Sequence, residues 1–412
     1  MSAYAGTRAE IRIGPVHLWH PEHTLAVTDL PERATLPEAR DRQLLALGID
    51  RVRVAGGLTE TDLAERAALG ALADSGTDPA DLDGLLLVQG RAPEYLMASE
   101  ATRLQHRIGA TRALTLGVGD LGCVSSSAAI EIGAALLRGR GGPGRVLVAM
   151  GVRAAATARY RPPMTVLGDC GAAFLLTTGD DDSGGAPSIA GGDTGGGTPY
   201  TSDGDTVGAA PYTSGSGPSA VGGAPYTSGR VPYTSGSGGP YTPGDDTAGR
   251  APRPAGGRTA RYRLLGQELR SDGRYADLFR IRYRELPPER WAEECADENA
   301  YSFQLAIESR NRLRDLNAEL LRRCATTQDE LAAVVMQNLS MGAFAFWQDA
   351  LGLKIADVCR DNLADHGHLG PADVLMNLES LAPSVPAGGK VLVMNSSPVA
   401  AWCTALVERL PD

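Results

Sequence analysis

One cysteine lies where an extended segment gives way to a run with helical spacing. In "GDLGCVSSSAAIEIGAALL" (residues 119–137), Cys123 directly precedes three serines and the helix-like pattern. A helix that begins around residues 124–127 would present unsatisfied backbone N–H groups and its positive dipole end to the thiol, which favours the thiolate. A thiolate accepts acyl groups readily near neutral pH. The same position also fits a buried, unreactive cysteine, and the residues alone leave both interpretations open.

The elements around this cysteine have the pattern of an α/β fold. Short apolar runs bounded by glycine or polar residues are typical of strands buried on both faces. Helical patterns alternate with these runs and predict helices over 61–76 and 300–324. The predicted strands are 83–90, 145–151, 171–177, 332–338 and 390–396.

An internal duplication groups Cys123 with two distant residues. Two segments share the order of helix end, acidic turn and buried strand, and these strands finish in Gln89 and Gln337. Cys123 precedes the predicted strand start at 145 by 22 positions, and His368 precedes the strand start at 390 by the same 22. Two copies of one α/β unit, related by a pseudo-twofold axis, would bring Cys123, Gln337 and His368 towards a shared interface.

Composition and charge restrict the class of protein. The 412 residues carry a formal net charge of −10, which argues against binding nucleic acid or an anionic membrane through bulk charge. The apolar runs are too short for a membrane span and the first residues lack the apolar core of a signal peptide, so we expect a cytoplasmic protein. The cysteines are scattered without CxxC spacing, which predicts reduced thiols and no structural zinc site. These cysteines are Cys123, Cys170, Cys295, Cys324, Cys359 and Cys403.

One segment differs from the rest in composition. Residues 179–257 are dominated by Gly, Pro, Ser, Thr and Asp, and a "PYT" unit recurs there at irregular spacing. Such a stretch cannot bury enough apolar surface to offset its ordering entropy, so we predict a disordered insertion. The chain would then consist of an N-terminal half (1–178) with the candidate nucleophile, the insertion (179–257) and a C-terminal half (258–412).

An ordered set of motifs resembles the ketoacyl-ACP synthase III group of the thiolase superfamily. The resemblance covers nearly the whole chain apart from the insertion. It implies a thiolase-like five-layered αβαβα fold built from two duplicated halves, a homodimer, and an acyl-accepting nucleophile at Cys123. It also implies an acyl carrier protein or acyl-CoA as the partner, with the thioester as substrate and no separate cofactor. The motifs are "DLGCVSSSAAIEIGAALL", "VLGDCGAAFLL", "LRSDGRYADL", "HGHLGPAD" and "KVLVMNSSPVAAWCTALV".

The sequence departs from this group at the positions opposite the cysteine. Condensing members place a His and an Asn there, which support decarboxylation of a malonyl group and stabilise the enolate. Here Gln337 aligns with that His and His368 with that Asn. A glutamine can donate a hydrogen bond to a carbonyl oxygen but cannot carry a proton, whereas His368 can do both. The resemblance therefore predicts a catalytic set of Cys123, His368 and Gln337.

Two further sequence features concern the oxyanion hole and a group of histidines. The group commonly takes an oxyanion-hole N–H from a glycine-rich turn, but here the turn reads "NSSPVAA"; Pro398 has no N–H, and Ser397 is the alternative donor. The stretch "HLWHPEH" places His17, His20 and His23 at i, i+3 and i+6. It lacks a carboxylate or thiolate at a ligand spacing, so we interpret it as a surface loop rather than a metal site.

Three functions remain open from the sequence. The first is an acyltransferase of secondary metabolism, in which Cys123 takes an acyl group from a thioester and His368 deprotonates a small-molecule hydroxyl, amine or thiol that receives it. The second is a decarboxylative condensing enzyme that uses His368 and Gln337 in exchanged places. The third is a non-catalytic subunit that binds acyl carrier protein, although the retained cysteine argues against it. The acyl group, the acceptor and the pathway are not specified by the residues.

Overall fold

Ten strands, drawn from both halves, form one sheet, and the other six form two-stranded pairs. A computed structural model describes residues 9–90, 94–95, 97–155, 158–178, 260–284, 286–287, 290–291 and 294–411. The insertion predicted at 179–257 lies outside them. The strands of the N-terminal half are β1 Ile11–Ile13, β2 His17–Trp19, β3 Thr24–Ala26, β4 Arg51–Arg53, β5 Gly84–Val88, β6 Leu114–Val118, β7 Gly144–Val152, β8 Tyr160–Arg161, β9 Thr165–Val166 and β10 Cys170–Thr178. Those of the C-terminal half are β11 Tyr262–Ser271, β12 Phe279–Arg280, β13 Glu294–Cys295, β14 Leu331–Met336, β15 Lys390–Ser397 and β16 Ala401–Arg409.

The helices alternate with these strands. The predicted helix over 61–76 is found at 60–75, where a capping box between Thr59 and Asp62 begins it and Gly76 in the left-handed conformation ends it. The predicted helix over 300–324 begins as a π-helical turn, Ala300–Leu305, before it becomes regular. The helices are α1 Glu38–Leu45, α2 Glu60–Ser75, α3 Glu100–Ile108, α4 Ser125–Arg140, α5 Ala306–Arg323, α6 Met341–Leu351, α7 Val358–His366 and α8 Asp373–Leu381.

The strand order in the main sheet is nearly symmetric about its centre. It runs β6-β5-β7-β10-β1 in the N-terminal half and continues β11-β16-β15-β14 in the C-terminal half, with β2 also paired to β10. The order β5-β7-β10-β1 of the first half matches the order β14-β15-β16-β11 of the second, with a parallel outer pair and antiparallel inner pairs in each, and β6 extends the first half by one further parallel strand. This symmetry confirms the duplication predicted from the sequence.

Helices cover both faces of the sheet. Helix α2 packs on β7 and β10, with α3 beside it, and α4 covers the opposite face of the same half. In the second half α5 packs on β11 and β16, while α8 lies on β14 and β15. Helix α4 also contacts the turn that precedes α8, so these two helices form the middle layer. The arrangement is the predicted thiolase-like αβαβα layering.

The strands that flank the insertion end close together. Strands β10 and β11 pair with opposite edges of β1, where Thr178 faces Ile11 and Tyr262 faces Ile13. Two strand spacings, about 10 Å, therefore separate them sideways, with an offset of two residues, about 7 Å. None of the helices in the described part of the chain has the length and apolar character to cross a bilayer.

Candidate active site

The cysteine lies at the turn that opens α4. Gly122–Val124 form a 3₁₀ turn, α4 begins at Ser125, and Cys123 is buried. Gly122 has φ +55°, and a Cβ there would lie 2.4 Å from Ser397 Oγ, so the turn requires glycine. The sequence prediction that a helix begins directly after Cys123 is confirmed, and the positive end of α4 points towards the thiol.

The structure brings His368 to Cys123. Its Nε2 lies 3.2 Å from Cys123 Sγ, and the imidazole is fully buried. The His368 N–H donates to Val166 O at 2.8 Å, and its carbonyl accepts from Gly168 N at 3.1 Å. These two backbone hydrogen bonds fix the loop from which the ring reaches the thiol.

A third residue, Asp373, completes a hydrogen-bonded chain. Its Oδ2 lies 2.5 Å from His368 Nδ1 and accepts from Asn338 N at 2.9 Å, while its Oδ1 accepts from Leu369 N at 2.7 Å. Asp373 is fully buried as the first residue of α8. The carboxylate therefore holds the imidazole with Nδ1 as donor and Nε2 towards the sulfur, which is the arrangement of a Cys-His-Asp triad.

Sequence reasoning missed Asp373. The residue is in the quoted motif "HGHLGPAD", five positions after His368. The available signal was an acidic residue that follows Gly370 and Pro371 and opens a helix, because the intervening turn folds back on the histidine.

The electrostatics of the site favour a charged imidazole. Burial lowers the pKa of His368, but the Asp373 carboxylate and Cys123 raise it more, to about 9. At neutral pH the ring is therefore an imidazolium 3.2 Å from the sulfur, where it stabilises a thiolate.

The third predicted residue, Gln337, lies elsewhere. Its amide nitrogen donates to Ser396 Oγ at 2.5 Å and to Ser396 O at 3.2 Å, and its Oε1 accepts from Ser396 N at 3.2 Å. The side chain thus continues the pairing of β14 with β15. Gln337 is absent from the described residues that line the cavity at Cys123.

The turn after β15 faces the cysteine, as its alignment predicted. Ser397, Pro398 and Val399 line the cavity at Cys123. Pro398 has no N–H, and the Val399 N–H already approaches Ser397 Oγ at 3.4 Å. The neighbouring Asn395 Nδ2 donates to Cys123 O at 2.8 Å and fixes the backbone of the nucleophile.

A cavity of about 690 Å³ opens above Cys123 and His368. The segment that carries β12 and β13 contributes Phe279, Tyr283 and Trp291, and the rings of Tyr283 and Trp291 meet edge to face at 6.0 Å. Besides His368, the described residues that line the cavity include the charged side chains of Glu60, Glu94, Asp120, Arg153 and Arg280. The cavity therefore offers a mixed polar and aromatic surface beside the thiol.

Four other large apolar side chains lie away from this cavity. Phe344 and Trp347 are buried in the core, whereas Tyr95 and Met97 are exposed. None of the four is among its described lining residues.

The histidines of "HLWHPEH" do not converge. His17 Nδ1 pairs with Asp74 Oδ2 at 2.9 Å, and His20 stacks on His366 with ring centroids 4.4 Å apart. In the described parts of the chain, His, Cys, Asp and Glu side chains form no cluster of three that could hold a metal ion.

Comparison with known proteins identifies the fold. No protein-family model matches the sequence. A stretch of 132 residues is 35% identical to beta-ketoacyl-[acyl-carrier-protein] synthase III of Gloeobacter violaceus, covering 31% of this chain and 38% of that protein. The matched stretch thus spans less than half of the length of this curated relative.

Solved structures match over almost the whole chain. The acyltransferase ChlB3 superposes with a TM-score of 0.66 at 18% identity, covering 97% of this chain and 98% of its own. FabH, a 3-oxoacyl-(acyl carrier protein) synthase III from Pseudomonas aeruginosa PAO1, gives a TM-score of 0.63 at 17% identity, with 98% and 99% covered. OleA of Xanthomonas campestris gives 0.64 at 17% identity, with 97% and 98% covered. The chain has a thiolase fold of the synthase III type. The resemblance stated from the motifs is thereby confirmed at the level of the fold.

Proposed function

We propose that this thiolase-fold protein is an acyltransferase that carries the acyl group on Cys123 and transfers it to a heteroatom. One observation supports the proposal above the others: the hydrogen-bonded chain from Cys123 through His368 to Asp373. A single base that touches the sulfur and is oriented by a carboxylate can handle the proton in both half-reactions.

In the first half-reaction the Cys123 thiolate attacks the carbonyl carbon of an acyl thioester. The new C–Sγ bond forms, the C–S bond of the donor breaks, and the leaving thiolate takes the proton from His368 Nε2 to depart as a free thiol. The donor is an acyl carrier protein or acyl-CoA, by analogy with the synthase III relative.

Acylation prepares His368 for the second half-reaction. Once the sulfur is acylated, the charge on Cys123 that helps to raise the pKa of His368 is gone, and burial lowers that pKa. The neutral ring can then accept a proton from an acceptor hydroxyl, amine or thiol. The acceptor heteroatom bonds to the carbonyl carbon, the C–Sγ bond breaks, and the thiolate–imidazolium pair is restored.

The positions of Gln337 and His368 disfavour decarboxylative condensation. That reaction needs donors fixed at an enolate oxygen, and loss of one such donor costs about two to three orders of magnitude in rate. Here the Gln337 amide is hydrogen-bonded to Ser396, and of the two predicted partners of Cys123 it is His368 that contacts the sulfur.

We further expect a cytoplasmic homodimer that acts in secondary metabolism.

Intact-protein mass spectrometry with a panel of acyl-CoA and malonyl-type thioesters tests the proposal. The wild type should gain the mass of one acyl group and lose it when the right acceptor is added. Cys123→Ala should abolish loading, whereas Cys403→Ala, a matched change at another buried cysteine, should leave loading intact. Equal loading in Cys123→Ala would end the nucleophile assignment.

His368→Ala separates the two half-reactions. We expect this variant to load slowly and then retain the acyl group, because the base for the acceptor is missing. The wild type should release no ¹⁴CO₂ from a labelled malonyl thioester above background. Stoichiometric ¹⁴CO₂ release with a β-ketoacyl product would refute the acyltransferase proposal in favour of condensation. A wild type that binds acyl carrier protein but never loads would favour the non-catalytic subunit.

A further inference from the structure

A chain of buried amides lies behind the triad. Asn377, one turn after Asp373 on α8, donates from Nδ2 to Asn338 Oδ1 at 2.8 Å and to Met336 O at 2.7 Å. Its Oδ1 accepts from Asn362 Nδ2 at 2.8 Å. Asn338 and Asn377 are both fully buried. The Met336 carbonyl fixes the orientation of the Asn377 amide, since the opposite orientation would set the amide oxygen against the carbonyl oxygen.

Asn377 holds the segment that serves the triad carboxylate. Strand β14 ends at Met336, and the Asn338 N–H two residues later donates to Asp373 Oδ2 at 2.9 Å. Gln337 ties the intervening residue to β15 through Ser396. From α8, Asn377 donates hydrogen bonds to the residues on both sides of Gln337, which are Met336 and Asn338. The position of the Asn338 N–H thus depends on two side-chain amides: that of Gln337, which bonds to Ser396, and that of Asn377 on α8.

This contact determines where the Asp373 carboxylate points. Oδ2 is shared by Asn338 N and His368 Nδ1, and Oδ1 is held by Leu369 N. While the carboxylate accepts from all three donors, its side chain is held in the rotamer that contacts the imidazole. If the Asn338 N–H withdraws, one of the two hydrogen bonds to Oδ2 is lost and the carboxylate can rotate away from His368.

We propose that Asn377 is a positioning residue that aligns Asp373 with His368 by fixing the backbone of Asn338. The effect of this role on catalysis rests on the proposed acyl transfer. Its effect on the reactivity of Cys123 can be measured without any acyl donor. Asn377 is not among the described residues that line the cavity, and its described hydrogen bonds lead to Asp373 through Asn338. The role would make the buried amide chain part of the active site rather than of general packing.

The pH dependence of Cys123 alkylation tests this role without an acyl donor. Iodoacetamide labelling, followed at the Cys123 peptide by mass spectrometry, reports the fraction of Cys123 that is present as the reactive thiolate at each pH. Asn377→Leu keeps the branched shape and the number of heavy atoms but removes the NH₂ donor and the acceptor oxygen. We expect the lower midpoint of the profile, where the thiolate forms, to move up by about half a pH unit to one unit, because a less well aligned imidazolium stabilises the thiolate less. We also expect release of the acyl group to slow about tenfold, more than loading slows.

A matched control separates positioning from stability. Asn317 is another buried asparagine that bonds to Thr404 Oγ1 and to Met394 Sδ on the far side of the sheet. Asn317→Leu should lower thermal stability while leaving the alkylation midpoint at the wild-type value. Unchanged midpoint and acyl release in folded Asn377→Leu would overturn the proposal.

A near-isosteric variant keeps the test decisive if Asn377→Leu does not fold. Asn377→Asp can donate to Met336 O or Asn338 Oδ1 only while its carboxyl is protonated. We expect acyl release by this variant to approach wild type at low pH and to fall as that carboxyl ionises, a transition that the wild type lacks. A wild-type pH profile in Asn377→Asp would equally overturn the proposal. If no thioester loads the protein, the proposed function fails, but the alkylation midpoints still decide the role of Asn377.

Discussion

The Asp373→Asn substitution removes the charge behind His368 with little change in volume. The native carboxylate offers Oδ1 to Leu369 N and Oδ2 to both Asn338 N and His368 Nδ1. An asparagine has one oxygen, and if this serves Leu369 N its NH₂ group faces the ring. The imidazole must then present an unprotonated Nδ1 to the amide and keep its proton on Nε2, towards Cys123. A ring in this tautomer cannot act as the base at the sulfur.

The loss of charge also has a calculable size. The pKa of His368 stands at about 9 because Asp373 and Cys123 outweigh burial. A neighbouring opposite charge shifts a pKa by about 1–3 units, so without the carboxylate the value should fall to about 6. At pH 7.5 the fraction of His368 that is imidazolium would drop from ~97% to ~3%. The rate of Cys123 alkylation should fall with it, by about 30-fold.

Site-resolved alkylation of Cys123 between pH 5 and 10 measures this change. We expect the reactive plateau of the wild type near neutral pH to disappear in Asp373→Asn, with reactivity rising only where the free thiol ionises. Asp62→Asn, a change at a helix cap on α2, controls for the loss of an acidic residue. A profile for Asp373→Asn that superimposes on the wild type would refute the triad.

The remaining predictions concern stability and the insertion. His368 keeps its proton up to about pH 9 in the folded state but releases it near 6.5 when unfolded, so its own stabilising contribution is complete below pH 6.5 and is lost as the pH rises through 9. Between pH 6.5 and about 8.5 the unfolded Cys123 thiol holds the proton that the folded pair keeps on His368, so the two contributions offset each other there. The free energy of unfolding, measured by denaturant titration, should therefore change little with pH over that range in the wild type, whereas Cys123→Ser, which keeps His368 but has no titrating thiol, should lose stability across it; equal slopes would contradict the thiolate–imidazolium pair. Replacement of residues 180–256 by a linker of about six residues should leave acyl loading within a few-fold, because the flanking strands lie on either side of β1. Loss of loading in a folded deletion variant would show that the PYT repeats act directly.

The parts of the fold predicted from sequence are those set by local pattern. All five apolar runs are strands and both helical patterns are helices, because burial on both faces and helical periodicity leave a direct trace in the residues. The duplication added long-range information, since equal spacing to a strand start placed Cys123 and His368 at equivalent turns. Those two turns do contact each other.

Hydrophobic periodicity could not predict where the side chains of Gln337 and Asp373 lie. Gln337 follows the last residue of β14, where a shift of one residue reverses the face of a side chain, and the structure turns it to Ser396. Asp373 meets His368 because the turn Gly370–Ala372 folds the chain back within five residues. Neither helical period nor strand alternation describes such a turn.

The duplication also explains why the charges at this site can coexist while buried. Each half contributes the start of one middle-layer helix, α4 after Cys123 and α8 at Asp373. Helix N-termini stabilise negative charge, so the thiolate and the carboxylate each lie at a favourable end. The imidazolium of His368 lies between these two anions and contacts both, at 3.2 Å and 2.5 Å. The alternation of anion, cation and anion between two helix starts offsets the cost of burying three ionised groups. An asparagine at position 368 would leave the two anions facing each other without a cation, so the histidine and the aspartate are required together.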